Sequence, residues 1–169
     1  MASIRPAVSA DAPRIQEIEL ATHAQFSAIG YDNVANDPPD PIEVLNEYAN
    51  SGRSWVALSD DGEVTGYMLL DVIDGAAHIE QLTVHPDHQG SGFGKALIEQ
   101  AKDWARGMGC RAVTLSTFSE VPWNRPLYEH LGFRVLADEE VGPELRAVQE
   151  HEAQKGFGPE GRVAMQLQL

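Results

Sequence analysis

The chain has 169 residues, 43% of them apolar, and a formal net charge of −14 from 26 acidic against 12 basic residues. Its length fits a single globular domain, residues 1–169, whose core buries roughly two-thirds of the unfolded surface; the acidity argues against nucleic acid or an anionic membrane as partner, since both are bound through Lys and Arg clusters, and either favours a cationic ligand or serves only solubility. No run of about 18 apolar residues is present to span a bilayer, "MASIRPAVSADAP" lacks the apolar centre of a secretory signal, and the lone Cys110 cannot form an internal disulfide, so a cytoplasmic protein is expected.

In chain order, Ile4 to Ala7 suits a short strand, and Asp11 offers an N-cap with Pro13 in the first turn of a helix carrying Ile15, Ile18, Thr22 and Phe26 at helical spacing. That helix should end near Gly30. "YDNVANDPPDP" reads as a loop, until Asp40 caps and Pro41 opens a helix that turns Ile42, Leu45 and Ala49 inward and closes at Gly52. "SDDG" joins Ser54–Leu58 and Glu63–Val72 as a hairpin, followed by a strand from Ala77 to Val84 with Ile79 on one face and His78, Glu80, Leu82 and Val84 on the other. Phe93, Leu97, Ala101 and Trp104 mark one face of a helix stopping at Gly107 or Gly109. The rest alternates: "AVTLS" as a strand, "NRPLYEHLG" as a short helix capped by Asn124 and ended by Gly132, "FRVL" as a strand, Pro143 to Lys155 as a helix, and "RVAMQLQL" as a half-buried strand. A hairpin-rich antiparallel group followed by alternating strands and helices points to a mixed α/β sheet.

"VHPDHQGSGFGKALIEQ" contains glycines at 90, 92 and 94 where a helix must begin. A helix starting at Gly92 leaves its first N–H groups without intrahelical partners and carries about half a positive charge from the macrodipole. An anion suits such a site, and glycines remove the Cβ atoms that would hold phosphate oxygens away from the N–H groups of Gln89 to Lys95. "GSGFGKA" is one residue short of a P-loop and has Ala96 where a magnesium-binding hydroxyl is needed, which argues against ATP. A dinucleotide fingerprint is disfavoured too, because Lys95 stands in the place of its last glycine. The histidines of "HPDH" lack a second ligand group at metal spacing and read as a solvated turn.

Gln89-Gly90-Ser91-Gly92-Phe93-Gly94 fits [QR]-x-x-G-x-[GA] and resembles the acetyl-CoA loop of the GNAT superfamily of N-acetyltransferases. "IEQLTVHPDHQGSGFGKALI" is similar to that family's fourth strand, loop and third helix, "NRPLYEHLGF" to its second cofactor segment, and the order of elements follows its fold over nearly the whole chain. The resemblance implies a single-domain, mostly antiparallel sheet of about six to seven strands with a splayed central parallel pair. It also implies that Leu82, Thr83 and Val84 bond pantetheine while Gln89, Gly90, Ser91, Gly92, Phe93, Gly94 and Lys95 hold the pyrophosphate.

The implied reaction is direct transfer of an acetyl group from acetyl-CoA to a primary amine in a ternary complex, with no metal. Tyr128 matches the tyrosine that protonates the coenzyme thiolate in many members, and Glu80 resembles the position of a general base, with His78 in reserve. A backbone N–H near Val84 would meet the oxyanion. Val121 stands where the family often has a cofactor-contacting Asn; Asn124 either takes that contact or caps the helix ahead of Pro126, and Trp123 is placed to line the acyl or acceptor side. Asp32, Asp37 and Asp40 suit a cationic acceptor or are simply loop and cap residues. Dimerisation, common in the family, would use an exposed strand or the C-terminal segment. A non-catalytic acyl-CoA-binding module built on the same loop is the alternative.

Overall fold

The computed structural model describes residues 2–27, 38–118, 125–154 and 162–169. Its strands are β1 Ser3–Pro6, β2 Ser54–Leu58, β3 Val64–Ile73, β4 Ala76–Val84, β5 Ala112–Phe118, β6 Arg134–Val135 and β7 Arg162–Gln168. The helices are α1 Ala12–Ser27, α2 Ile42–Asn50, α3 Phe93–Gly107, α4 Arg125–His130 and α5 Pro143–Gln154. The strands form one seven-stranded sheet in the order β1-β2-β3-β4-β5-β7-β6. β1–β2, β2–β3, β5–β7 and β6–β7 pair antiparallel, whereas β4–β5 is parallel and is connected through α3, the long crossover that parallel neighbours require. The mixed α/β sheet is therefore as the sequence pattern predicts, and its central parallel pair is as the family resemblance implies.

The chain folds as two compact units, residues 1–70 with 81–100 and residues 71–80 with 101–169. In the first, α1 and α2 bury Ile15, Ile18 and Leu45 against Val56, Tyr67 and Leu69 of the β2–β3 hairpin. Each such side chain removed from water contributes roughly 1.5–3 kcal/mol. In the second, Leu145 of α5 packs with Leu136 and Ala164, flanked by Ile73, Val141 and Val148. Helix α3 ends on a glycine: Gly109 has φ +74°, its N–H donates to Arg106 O, and Cys110 N–H donates to Ala105 O. This is the Schellman arrangement. Cys110 itself is buried, and burial raises its thiol pKa, so a core role fits better than a reactive one.

Two expected caps work differently. The Asp40 carboxylate does not cap α2: the N-cap is Pro41, without a side-chain bond, and Asp40 instead uses its backbone, donating N–H to Glu19 Oε1 and accepting from Gln16 Nε2. The Asp11 carboxylate turns back over the 3₁₀ turn Ser9–Asp11, accepting from Val8 N–H at 2.8 Å and from Arg5 at 2.8 and 2.9 Å. A distant residue caps α5. Asp74, in the β3–β4 turn at φ +53°, accepts from Glu144 N–H and Leu145 N–H, and its own N–H donates to Glu144 Oε1. Gly142 leaves room for this carboxylate, because a Cβ there would lie 2.5 Å from it. The sequence-predicted features at Phe26, Gly30 and Lys155 fall on side chains or residues outside those described.

Loss of that cap should unfasten the start of α5. Asp74→Ala is expected to lower stability by about 1–2 kcal/mol in urea unfolding. Asp74→Asn, which keeps an acceptor and tolerates positive φ, should lose less.

Candidate active site

Strand β4 changes character along its length. Ala76 to Ile79 are buried, Glu80 is exposed, Gln81 and Leu82 are half-buried, Thr83 is buried and Val84 half-buried. The parallel register with β5 covers Ala77 to Ile79 opposite Val113 to Leu115, while β4 itself continues to Val84. The buried stretch thus coincides with the parallel pairing, where strands are commonly covered on both faces. This bears on His78, the reserve base. It is 2% exposed and its Nδ1 lies 2.9 Å from the Thr114 hydroxyl, its register partner, so the ring is engaged within the sheet.

The end of β4 is set by β3. A Cβ on Gly66 would lie 2.9 Å from Thr83 O and 3.2 Å from Val84 Cγ2. Gly66 therefore allows a backbone approach that no other residue permits. Tyr67, next along β3, is fully buried with its hydroxyl unbonded among the described residues. Burial pushes its pKa well up, Glu19 and Asp40 add to the rise, and neighbouring Thr83 and Gln81 oppose it. Glu19 is itself 5% exposed, with Oε2 3.6 Å from His23 Nε2. This polar group below the strand end had no signal in the periodicity of α1.

Beyond Val84 the chain makes a compact turn at Pro86–His88. His85 N–H donates to Thr65 O at 2.8 Å, His85 Nδ1 accepts from Asp87 N–H at 3.1 Å, and the His88 ring stands edge-on to Phe93. Both histidines are thus used to shape the turn. Gly90 and Gly92 follow at φ +83° and +89°, with open space where a Cβ would stand. Gly92 is the N-cap rather than the first helical residue: its carbonyl accepts from Ala96 N–H, and α3 begins at Phe93. Helix α3 thereby presents its unpaired first-turn N–H groups beside an uncluttered, exposed loop. Gly94 differs from the other two, since its Cβ would make ordinary contacts of 3.9 Å with Leu82 and 4.0 Å with Val84.

In the second unit, Tyr128 is positioned by the end of α4. Gly132 at φ +102° is the C′ residue, Gly132 N–H donates to Glu129 O, and Phe133 N–H donates to Tyr128 O at 3.0 Å. The same Schellman motif turns Phe133 back so that the two rings meet edge to face at 5.9 Å. Tyr128 is half-buried, and desolvation raises its phenol to about 12. Asn124, Trp123, Asp32 and Asp37 lie outside the described residues. Among the described residues no helix is long and apolar enough to cross a membrane, and no acidic, His or Cys cluster could hold a metal ion.

A mixed sheet with a parallel pair, whose first strand leads through a glycine loop into a crossover helix, defines a mixed α/β protein with an open helix N-terminus at the end of that strand. Residues 14–133 match the acetyltransferase (GNAT) family, and the chain belongs to it. L-amino acid N-acyltransferase MnaT of Escherichia coli K12 is 31% identical over 140 residues, 80% of this chain and 81% of that protein. Peptidyl-lysine N-acetyltransferase YjaB of Salmonella typhimurium LT2 is 30% identical over 99 residues, and the match spans 59% of this chain and 62% of that relative. The PaiA N-acetyltransferase of Thermoplasma acidophilum, solved with coenzyme A, shares the fold at a TM-score of 0.74 and 15% identity, covering 100% of this chain and 99% of its own.

The Gly66 contact predicts a sensitive position distant in sequence from the loop. Gly66→Ala should displace the Thr83 carbonyl, lower stability by about 1–3 kcal/mol through overpacking, and weaken coenzyme A binding measured by calorimetry.

Proposed function

We propose that the chain, residues 1–169 acting as one catalytic domain, transfers an acetyl group from acetyl-CoA to a primary amine within a ternary complex in the cytoplasm. The observation that carries this reading is the loop from Gln89 to Lys95. It pairs positive φ and open space at Gly90 and Gly92 with the free N–H groups at the start of α3. A pyrophosphate fits that loop through backbone donors, and Leu82 to Val84 offer strand backbone for pantetheine.

The chemistry divides among few groups. The amine must lose its proton, and Glu80, exposed on β4, is assigned as the base that receives it through water. The neutral nitrogen then attacks the thioester carbonyl, the resulting oxyanion is met by backbone N–H near Val84, and the C–S bond breaks. The departing thiolate takes the proton of Tyr128. With the phenol at about 12 and an ordinary thiol at about 8.5, that transfer is uphill unless the second proton, which the nitrogen sheds once it is acylated, refills the phenol in the same event. The raised pKa keeps Tyr128 protonated and ready to donate throughout the neutral range.

The acceptor is assigned as a cationic primary amine. The net charge of −14 supports this and disfavours nucleic acid, and Asp40 lies half-buried beside Glu19. The related proteins named above act on peptidyl lysine and on L-amino acids, both of which offer primary amines.

Purified protein should release free thiol from acetyl-CoA with at least one member of a panel of polyamines, amino sugars, amino acids and lysine peptides. Tyr128→Phe should lower kcat by about 100-fold. Binding of coenzyme A without thiol release from any amine, together with no effect of Tyr128→Phe, would instead make the protein an acyl-CoA-binding module. In ultraviolet titration the tyrosinate signal lost in Tyr128→Phe should appear near pH 12, because burial disfavours the charged form. For the loop, Gly92→Val forces a β-branched residue to φ +89° and should weaken coenzyme A binding far more than Lys95→Ala, whose side chain is exposed.

A further inference from the structure

We propose that Gln25 is a positioning residue for the coenzyme loop and acts through the side chain of Gln89; this rests on reading that loop as the pyrophosphate cradle. Gln89 Nε2 donates to Val84 O at 3.1 Å and to Gln25 Oε1 at 3.2 Å, and Gln25 Nε2 makes a weaker return contact with Gln89 Oε1 at 3.4 Å. A backbone carbonyl can only accept, so the contact with Val84 decides which way round the Gln89 amide stands. That orientation offers its second N–H to Gln25.

Both donors of the Gln89 side chain are therefore spent inside the protein. The glutamine that begins the glycine pattern closes the chain from Val84 to Gln89 around the Pro86–His88 turn and has no side-chain N–H left for a phosphate. Gln25 supplies the outer anchor. It stands near the C-terminal end of α1, which is held by buried Ile15 and Ile18, so the tie runs from a fixed helix to the loop. A long exposed side chain loses rotamer freedom when held to one carbonyl, and a second partner on a rigid element offsets part of that loss.

Water competes for exposed amides, so these bonds add little to global stability. Their effect belongs to the ordering of the loop. A loop already closed before coenzyme A arrives does not have to be ordered during binding, and affinity rises accordingly. Gln25 then influences the cofactor without touching it, and leaves the reacting groups untouched.

The test compares the full-length protein with Gln25→Met, Gln89→Met and the double variant; methionine has nearly the length of glutamine and forms no comparable hydrogen bond. Each single change should raise the calorimetric Kd for coenzyme A and the KM for acetyl-CoA by about 2- to 10-fold, and Gln25→Met, which lies outside the loop, should leave kcat and Tm unchanged. The double variant should bind no more weakly than Gln89→Met alone, because both residues act through one tie. Wild-type affinity in Gln25→Met, or losses that multiply in the double variant, would overturn the proposal. Gly92→Val distinguishes two failures. If it weakens binding while Gln25→Met does not, the role of Gln25 falls alone; if neither weakens binding, the reading of the loop falls with it.

Discussion

The site depends on a side chain that is absent. Because Gly66 has no Cβ, β3 can approach the end of β4 so closely that an added carbon would stand 2.9 Å from the Thr83 carbonyl. Neighbouring residues on a strand face opposite ways, and the next one, Tyr67, is fully buried in the core with Ile15 and Ile18 of α1. One step of β3 is thus fixed by packing and the adjacent step by close backbone contact. Together they determine where Leu82 to Val84 lie, and the turn, the glycine loop and the start of α3 follow from there.

Helix ends position the candidate groups. At one, Gly92 caps α3 and leaves first-turn N–H groups unpaired, a local deficit of hydrogen bonds that a bound anion can fill. At another, Gly132 ends α4 and bends Phe133 back onto Tyr128, so a glycine at positive φ determines the setting of the phenol. In each case the backbone conformation does what a binding side chain would otherwise do. This explains why Lys95, prominent in the sequence motif, is assigned little of the binding.

Elements that depend on neighbours in sequence were readable from it. The hairpin, the glycine loop, both Schellman ends and the strand carrying Glu80 follow from periodicity and from glycine placement. Features made by distant pairs were not. Asp40 had the composition of a cap, but its carboxylate plays no such part because its N–H and C=O are drawn to Glu19 and Gln16 on α1. His78 shared a predicted face with Glu80, yet pairing with β5 buries it against Thr114 while Glu80 remains exposed. The glycine interrupting "EVTGYMLL" did carry a signal, since an isolated glycine in a strand often marks close backbone approach. Gln25 carried none, because nothing local distinguishes a glutamine on a helix surface from one that holds a loop.

The charge of the chain and the proposed chemistry fit together in one further respect. Coenzyme A is an anion, and a protein of net charge −14 repels it at distances beyond contact, more strongly at low salt. Backbone N–H groups carry no net charge and act only at close range, so this loop compensates for the repulsion only once the pyrophosphate is seated. A cationic amine meets the opposite field and is drawn in. Acetylation removes that amine's charge, so the product loses the attraction that brought the acceptor, while free coenzyme A remains subject to repulsion as it leaves. On the proposed reading, an acidic surface favours acceptor capture and the departure of both products, and the backbone loop would supply the close-range attraction that allows acetyl-CoA to bind despite it.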